Sequence, residues 1–299
     1  MSPSLLRPPP EFSKEHEEEF RRLGNPMPMM FEWYKNVALV AIDMASIDKD
    51  QPSVKTLPPV QEAILRGLLY RCARLMLSIL RVGRGGAGGE TIAILVRCVG
   101  ESALTLQWVC ANAEEGFSHY LASGLRTDLY LRELVTNNVQ GREGSALPIE
   151  TRILDSIERC FAAAGVTETA VRESSSIPNL EVMCSQLGYG DRLYVGLQRM
   201  GSHAVHGTWT DLLLHYVEED RDGMFRLRDS DESATDYIQL LLPSILVLDA
   251  LGAYVTFLIQ DASLRSEMHR VLSERKHAIL ELNNARPEDF LLPDAMGEP

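Results

Sequence analysis

The chain has 299 residues, 45% of them apolar, and a formal net charge of −13. That apolar fraction can bury a sizeable core and excludes wholesale disorder. The acidic balance opposes a broad nucleic-acid footprint, which needs an excess of Lys and Arg, and leaves room only for a local basic pocket.

Five cysteines are present, Cys72, Cys98, Cys110, Cys160 and Cys184, with no C-x-x-C pair. An odd count of thiols, three of them inside apolar helical patterns, reads as reduced, buried cysteine in a cytoplasmic setting. No apolar run reads as a membrane span. The nearest, Ile238 to Ile259, is interrupted by Pro243, Ser244, Asp249 and Gly252 and fits a core helix better. The N-terminus lacks an apolar stretch behind its charges, so no signal peptide is expected.

Residues 1–30 read as a flexible lead-in. Pro8 to Pro10 block a helix, Phe12 to Leu23 is a short charged helical piece, and the prolines at 26 and 28 break the chain again. A helix is predicted over 31–46, then a loop with three prolines over 48–59. From Val60 to Val82 apolar residues recur every three to four positions, the strongest helical signal in the chain. The Gly-rich segment 83–89 ends in Glu90-Thr91 and lacks the Gly-Lys-Ser/Thr ending of a phosphate loop, so it reads as a connector. Glu90 to Ala113 is apolar nearly all round, the mark of a central helix.

Further helices are predicted over 116–136, 148–164 and 179–187, with a short turn at 167–173. The next begins near Arg192, behind an Asp191 cap, and closes at Gly207. Thr208 to Val217 continues beyond it. Glu218 to Ser233 is an acidic loop with a possible hairpin at Arg221-Asp222-Gly223. Two long helices, about 234–260 and 262–284, complete the fold, and residues 285–299 read as a tail. The expectation is one all-α domain of about nine helices over 31–284, with a core at about 60–220.

The segment Arg199-Met200-Gly201-Ser202-His203-Ala204-Val205-His206-Gly207 is the one place equipped for chemistry. On a continuous helix Arg199, His203 and His206 fall within about 60° of one another. Metal-free RNA cleavage needs a base for the 2′-hydroxyl, an acid for the leaving oxygen and a cation on phosphorus, and these three could supply them, with Ser202 beside them. The bland alternative is that cationic side chains simply cap a helix end. A metal reading of His203-x-x-His206 would need a third ligand such as Glu101, Asp211 or His215, yet His215 would face the opposite side of a continuous helix. No metal or cofactor is expected.

Arg97 and Glu101, four apart on the central helix, read either as a strut to a neighbouring helix or as Glu101 accepting from His203 or His206. Tyr194 and Trp209 flank the segment; either could stack on a base, though core packing is commoner. Glu218-Glu219-Asp220 reads as a solvated run.

Arg97 to Glu101, then Tyr194, then Ser202, His206 and Gly207 together resemble an uncharacterised helical family, domain of unknown function 5677. Its pattern is Arg-x-x-x-Glu, a Tyr, and Ser-x-x-x-His-Gly/Pro. The resemblance covers roughly 60–220 and implies an all-α fold without an activity. Arg199 and His206, six residues between them, are also similar to the Arg-x4–6-His signature of the HEPN ribonucleases, in which two such helices usually meet across a homodimer. Met200 and Gly201 depart from the common form of that signature. The function expected first is a HEPN-like, metal-independent ribonuclease or RNA-binding toxin or defence factor. In that reading His206 is the base or acid, Arg199 the phosphate clamp and His203 an assistant; Arg97, Glu101, Ser202 and Tyr194 support them. RNA at a local site and a homodimer are the partners expected, with no membrane. The alternatives are a non-catalytic interaction module built on a buried Arg/Glu/Ser/His network, and a small-ligand sensor with a pocket between the central helices.

Overall fold

The computed structural model describes residues 6–84, 88–197, 201–228 and 235–284. Among the described residues the chain forms thirteen helices and one two-stranded hairpin, so the fold is all-α, with more and shorter helices than the nine expected. The centre is a ring of four: α2 (Met27–Ala45), α3 (Pro59–Gly83), α4 (Gly89–Ala111) and α12 (Ile238–Leu258). In it α2 packs on α3, α3 on α4, α4 on α12, and α12 back on α2. An outer helix, α13 (Ala262–Asn284), lies against α12 and α2.

The apolar periodicity of 60–82 becomes the inner face of α3, where Leu65, Leu69, Cys72, Met76 and Ile79 are buried. α4 is buried on most of its circumference, and α12 contributes Leu240, Val247, Leu251 and Val255 to the same core. Both helices are long and apolar enough to cross a membrane, which corrects the expectation that no run qualifies. Most of each apolar stretch is buried inside this bundle. Asp249, one of the interruptions in α12, takes the Lys276 ammonium on one oxygen (2.7 Å) and lies 2.9 Å from the Tyr189 hydroxyl on the other.

A second, smaller apolar cluster forms between α5 (Gly116–Gly141) and α7 (Glu168–Glu173), from Ala122, Leu125, Leu129 and Val171, with Phe161 of α6 (Pro148–Ala164) against it. α5 runs five residues further than predicted, through the polar stretch expected as loop. The cysteines are all free, but only Cys72 and Cys184 are buried and Cys160 is exposed.

The lead-in is not a loose segment from residue 6 onward. Leu6 and Phe20 are buried, and α1 (Lys14–Leu23) begins where the Ser13 hydroxyl caps the His16 amide. The buried Arg275 guanidinium donates to the Arg7 carbonyl and to Asn36 Oδ1, while Asn36 donates to the Pro8 carbonyl (2.7 Å). Pro28 sits in the first turn of α2, where a missing N–H costs nothing, so it starts that helix rather than breaking it.

Candidate active site on the fourth helix

Between α8 (Leu180–Gln186) and the hairpin come three short helices: α9 (Asp191–Leu197) and α10 (His203–His206), which pack on α4, and α11 (Trp209–His215), which packs on α10. Where one helix was expected from Arg192 to His206, α9 is described to Leu197 and α10 from His203, with residues 198–200 outside the described ones. Gly201 and Ser202 adopt π-type backbone before α10, and π turns concentrate at functional sites. Close approach is the physical reason for a glycine there. A Cβ at Gly201 would stand 2.7 Å from Cδ and 2.9 Å from Cγ of Arg97, and closer still to its Cβ. One turn along α4, a Cβ at Gly100 would meet Leu197 Cδ2 at 2.8 Å. The Arg-x-x-Gly-Glu stretch of α4 is thus a seat for the segment that follows Leu197.

Gly207 then ends α10 in the left-handed conformation (φ 54°), where glycine pays no steric penalty, and its N–H bonds back to the His203 carbonyl. The chain turns at that point, and this changes which side chains meet. His203, Thr210, Asp211 and His215 line one cavity of about 300 Å3, closed on the other side by Asp236 and Gln239. His203 Nδ1 lies 2.7 Å from Thr208 Oγ1, with the donor set by the tautomer. Gln239 Nε2 donates to the Gly89 carbonyl at 2.6 Å and so ties the far wall to the start of α4.

Asp211 is the most enclosed charge here, 3% exposed. Burial raises its pKa, the Glu90 carboxylate adds to the rise, and His215 and His203 act against it. Glu90 in turn accepts from the Tyr216 hydroxyl. That contact and the hydroxyl's partial burial push the Tyr216 phenol up to about 12. Two imidazoles and a destabilised carboxylate on one cavity form the arrangement in which pKa values are tuned for ligand binding or proton transfer.

The candidate residues divide. His203 is at the cavity, while His206 is exposed and does not line it. Arg199 lies outside the described residues. Ser202 is half-buried beside Gly201, and Tyr194 is half-buried against the main core, as a packing residue would be. Arg97 and Glu101 pair with each other along α4 (Nε to Oε1, 2.8 Å), and the Arg97 stem lies against Gly201. Arg97 Nη1 is enclosed without a hydrogen-bond partner among the described residues. Among those residues, too, no group of three or more His, Cys, Asp or Glu is placed to hold a metal ion.

Sequence reasoning raised Asp211 and His215 only as a possible third metal ligand beside His203, and placed His215 on the opposite side of a continuous helix. The available signal was Asp-x-x-x-His on a helix beginning after Gly207, once that glycine is read as a break between separate helices. Outside the cavity Trp209 is 58% exposed and packs edge-on against Phe225 (centroids 5.3 Å apart). Phe225 belongs to the hairpin of β1 (Val217–Glu219) and β2 (Phe225–Leu227), which turns at Gly223 as the acidic loop suggested.

Neither the curated proteins nor the solved structures contain a match to this chain. A family model described as a family of unknown function (DUF5677) matches residues 62–225, which include α4, α10, α11 and β1. That match spans more than half of the sequence, and the chain therefore belongs to the DUF5677 family.

Proposed function

We propose that the α4–α10–α11 cavity binds a small, donor-rich ligand, an amine or amidine, and that the protein senses or processes it through His203, Asp211 and His215. The observation that carries this reading is the buried Asp211 carboxylate facing the cavity beside Glu90, with Asp236 on the opposite wall. A phosphate in that space would stand near two or three carboxylates. At 4 Å and an effective dielectric of 20 each such pair costs on the order of 4 kcal/mol. A cationic group gains the same interactions with the opposite sign.

The test is calorimetric titration of the full chain with agmatine and with putrescine at pH 8. Saturable binding is expected, lost in Asp211→Asn and kept in His206→Ala. Absence of heat with both amines, or equal binding by Asp211→Asn, would overturn the reading.

A second reading is supported by the surface outside the cavity. The exposed Trp209–Phe225 pair offers a stacking platform for a base, three residues from the exposed His206. Metal-independent RNA cleavage there, in a cytoplasmic toxin or defence factor, calls for loss of cleavage in His206→Ala and its persistence in Asp211→Asn, the reverse of the pattern above. Intact RNA after incubation with the wild-type chain would refute it.

A further inference from the structure

A second cavity, of about 250 Å3, lies between the loop over residues 48–58, the first turns of α3 and the C-terminal end of α12. No residue lines both cavities, and most of this lining falls outside residues 62–225 matched by the family. Its shape is held by the loop's attachment to α12. The Lys55 N–H donates to the Leu258 carbonyl and the Gln260 N–H to the Ser53 carbonyl, each at 2.8 Å, with Val54 paired to Ile259 between them.

The charge balance is the reverse of the first site. Lys49, Lys55 and Arg66 face Asp50 and Glu62, one cation in excess in a chain of net −13. Arg66 is engaged with Glu62 (3.0 Å) and the Ile47 carbonyl (2.6 Å), which leaves Lys49 and Lys55 against Asp50 alone. The Lys55 ammonium stands 4.1 Å from the centroid of the Phe257 ring, which fixes where that cation sits.

Val54, Leu65 and Leu258 supply apolar wall. Tyr254 also lines the cavity and is 1% exposed. Burial is the main reason its phenol is pushed up to about 12, so it stays a protonated donor, and among the described residues no hydrogen bond shapes that value. A ligand atom that accepts a hydrogen bond would pair with that phenol.

We propose that this cavity binds a small carboxylic acid with a compact apolar body. The carboxylate is held by Lys49 and Lys55, the body lies on Val54, Leu65 and Leu258, and Tyr254 donates to an oxygen on the body. The volume falls below the range of drug-sized pockets, which restricts the ligand to a single ring or a short chain.

Thermal melting and ligand-observed NMR of the full chain test this with benzoate, 4-hydroxybenzoate and the neutral benzyl alcohol. Benzoate raises the melting temperature in a dose-dependent way and benzyl alcohol does not. Lys55→Gln weakens benzoate by about tenfold or more, and Lys49→Gln, on the exposed loop, does the same if the first variant folds poorly. Tyr254→Phe leaves benzoate within about twofold and removes the advantage of 4-hydroxybenzoate. No response to benzoate, an equal response to benzyl alcohol, or unchanged affinity in the folded lysine variants would overturn the proposal. Asp211→Asn leaves all of these responses in place, so the two sites stand or fall separately.

Discussion

Adding one methyl group at Gly201 tests whether α10 is seated on α4. Alanine there pushes its Cβ to 2.7 and 2.9 Å from Arg97 Cδ and Cγ, and closer to Arg97 Cβ, which is fixed to the α4 backbone and cannot retreat. The Arg97 head is also held by Glu101 at 2.8 Å. Overpacking of this kind costs about 1–3 kcal/mol, and the immovable Cβ places Gly201→Ala at the upper end. Alanine's better helix propensity and the smaller entropy of its unfolded chain return only about 1 kcal/mol, so the clash wins. Gly100→Ala meets the methyl tips of Leu197, at 2.8 and 3.2 Å, which can rotate away. Its net cost should be below about 1.5 kcal/mol. Gly124 is exposed inside α5 with nothing within 4 Å of an added Cβ, so Gly124→Ala should stabilise by about 0.5–1 kcal/mol. Urea unfolding measures all three as shifts in midpoint at constant m. Arg97→Ala should recover part of the Gly201→Ala loss, because it removes Cγ and Cδ and keeps Cβ. If Gly201→Ala were as stable as Gly124→Ala, the seat of α10 on Arg97, and the cavity that depends on it, would be refuted.

Three other outcomes follow from buried polar groups. Asp211 has a folded pKa above its ordinary value, so the stability it contributes is full below the unfolded pKa and is lost as pH rises through the folded one. Asp211→Asn should therefore raise the melting temperature at pH 7, by about 0.5–2 kcal/mol of stability, with the gain vanishing toward pH 3, while amine binding is lost. Arg275→Ala strands the Arg7 carbonyl and Asn36 Oδ1 and leaves a void, for a loss of about 2–4 kcal/mol. Limited proteolysis should then cut within residues 6–26 before the core unfolds. Tyr189 lies 2.9 Å from both Gln107 Oε1 and Asp249 Oδ2, and one hydroxyl proton serves two acceptors. Tyr189→Phe should cost about 0.5–1.5 kcal/mol by denaturant unfolding, because the half-buried Asp249 loses a donor and keeps Lys276.

The long helices were legible because their signal is local. Apolar spacing over 60–82 and an apolar circumference over 90–113 specify α3 and α4 within a residue or two. The site was only half legible, for reasons that are not local. How near Arg97 stands to Gly201, where the backbone is π-type, is encoded by no spacing within that segment. Treating the segment as continuous placed His206 with His203 and put His215 on the wrong side. The break at Gly207 brings His215 to the cavity beside His203, whereas His206, in the same turn of α10 as His203, is exposed and does not line it. The docking of residues 6–30 was hidden for the same reason: Arg275 reaches a carbonyl 268 positions earlier in the chain. Asp211 reads in sequence as an ordinary exposed acid of a first helical turn, and only the wall formed by α4 and residues 236–239 dehydrates it.

The two cavities use the same bundle in opposite ways. α4 and α12 place their apolar surface against each other, so their polar residues are forced to the ends and edges of that contact. At the start of α4 the leftover groups are Glu90 and the Gly89 carbonyl, both acceptors, and the chain returning from α11 adds Asp211. At the far end of α12 the exposed backbone binds the 48–58 loop, and that loop brings Lys49 and Lys55. A uniformly acidic chain would repel anions everywhere. Concentrating a cationic excess on one pinned loop is the arrangement that lets a protein of net −13 distinguish an acid from an amine at two separate places.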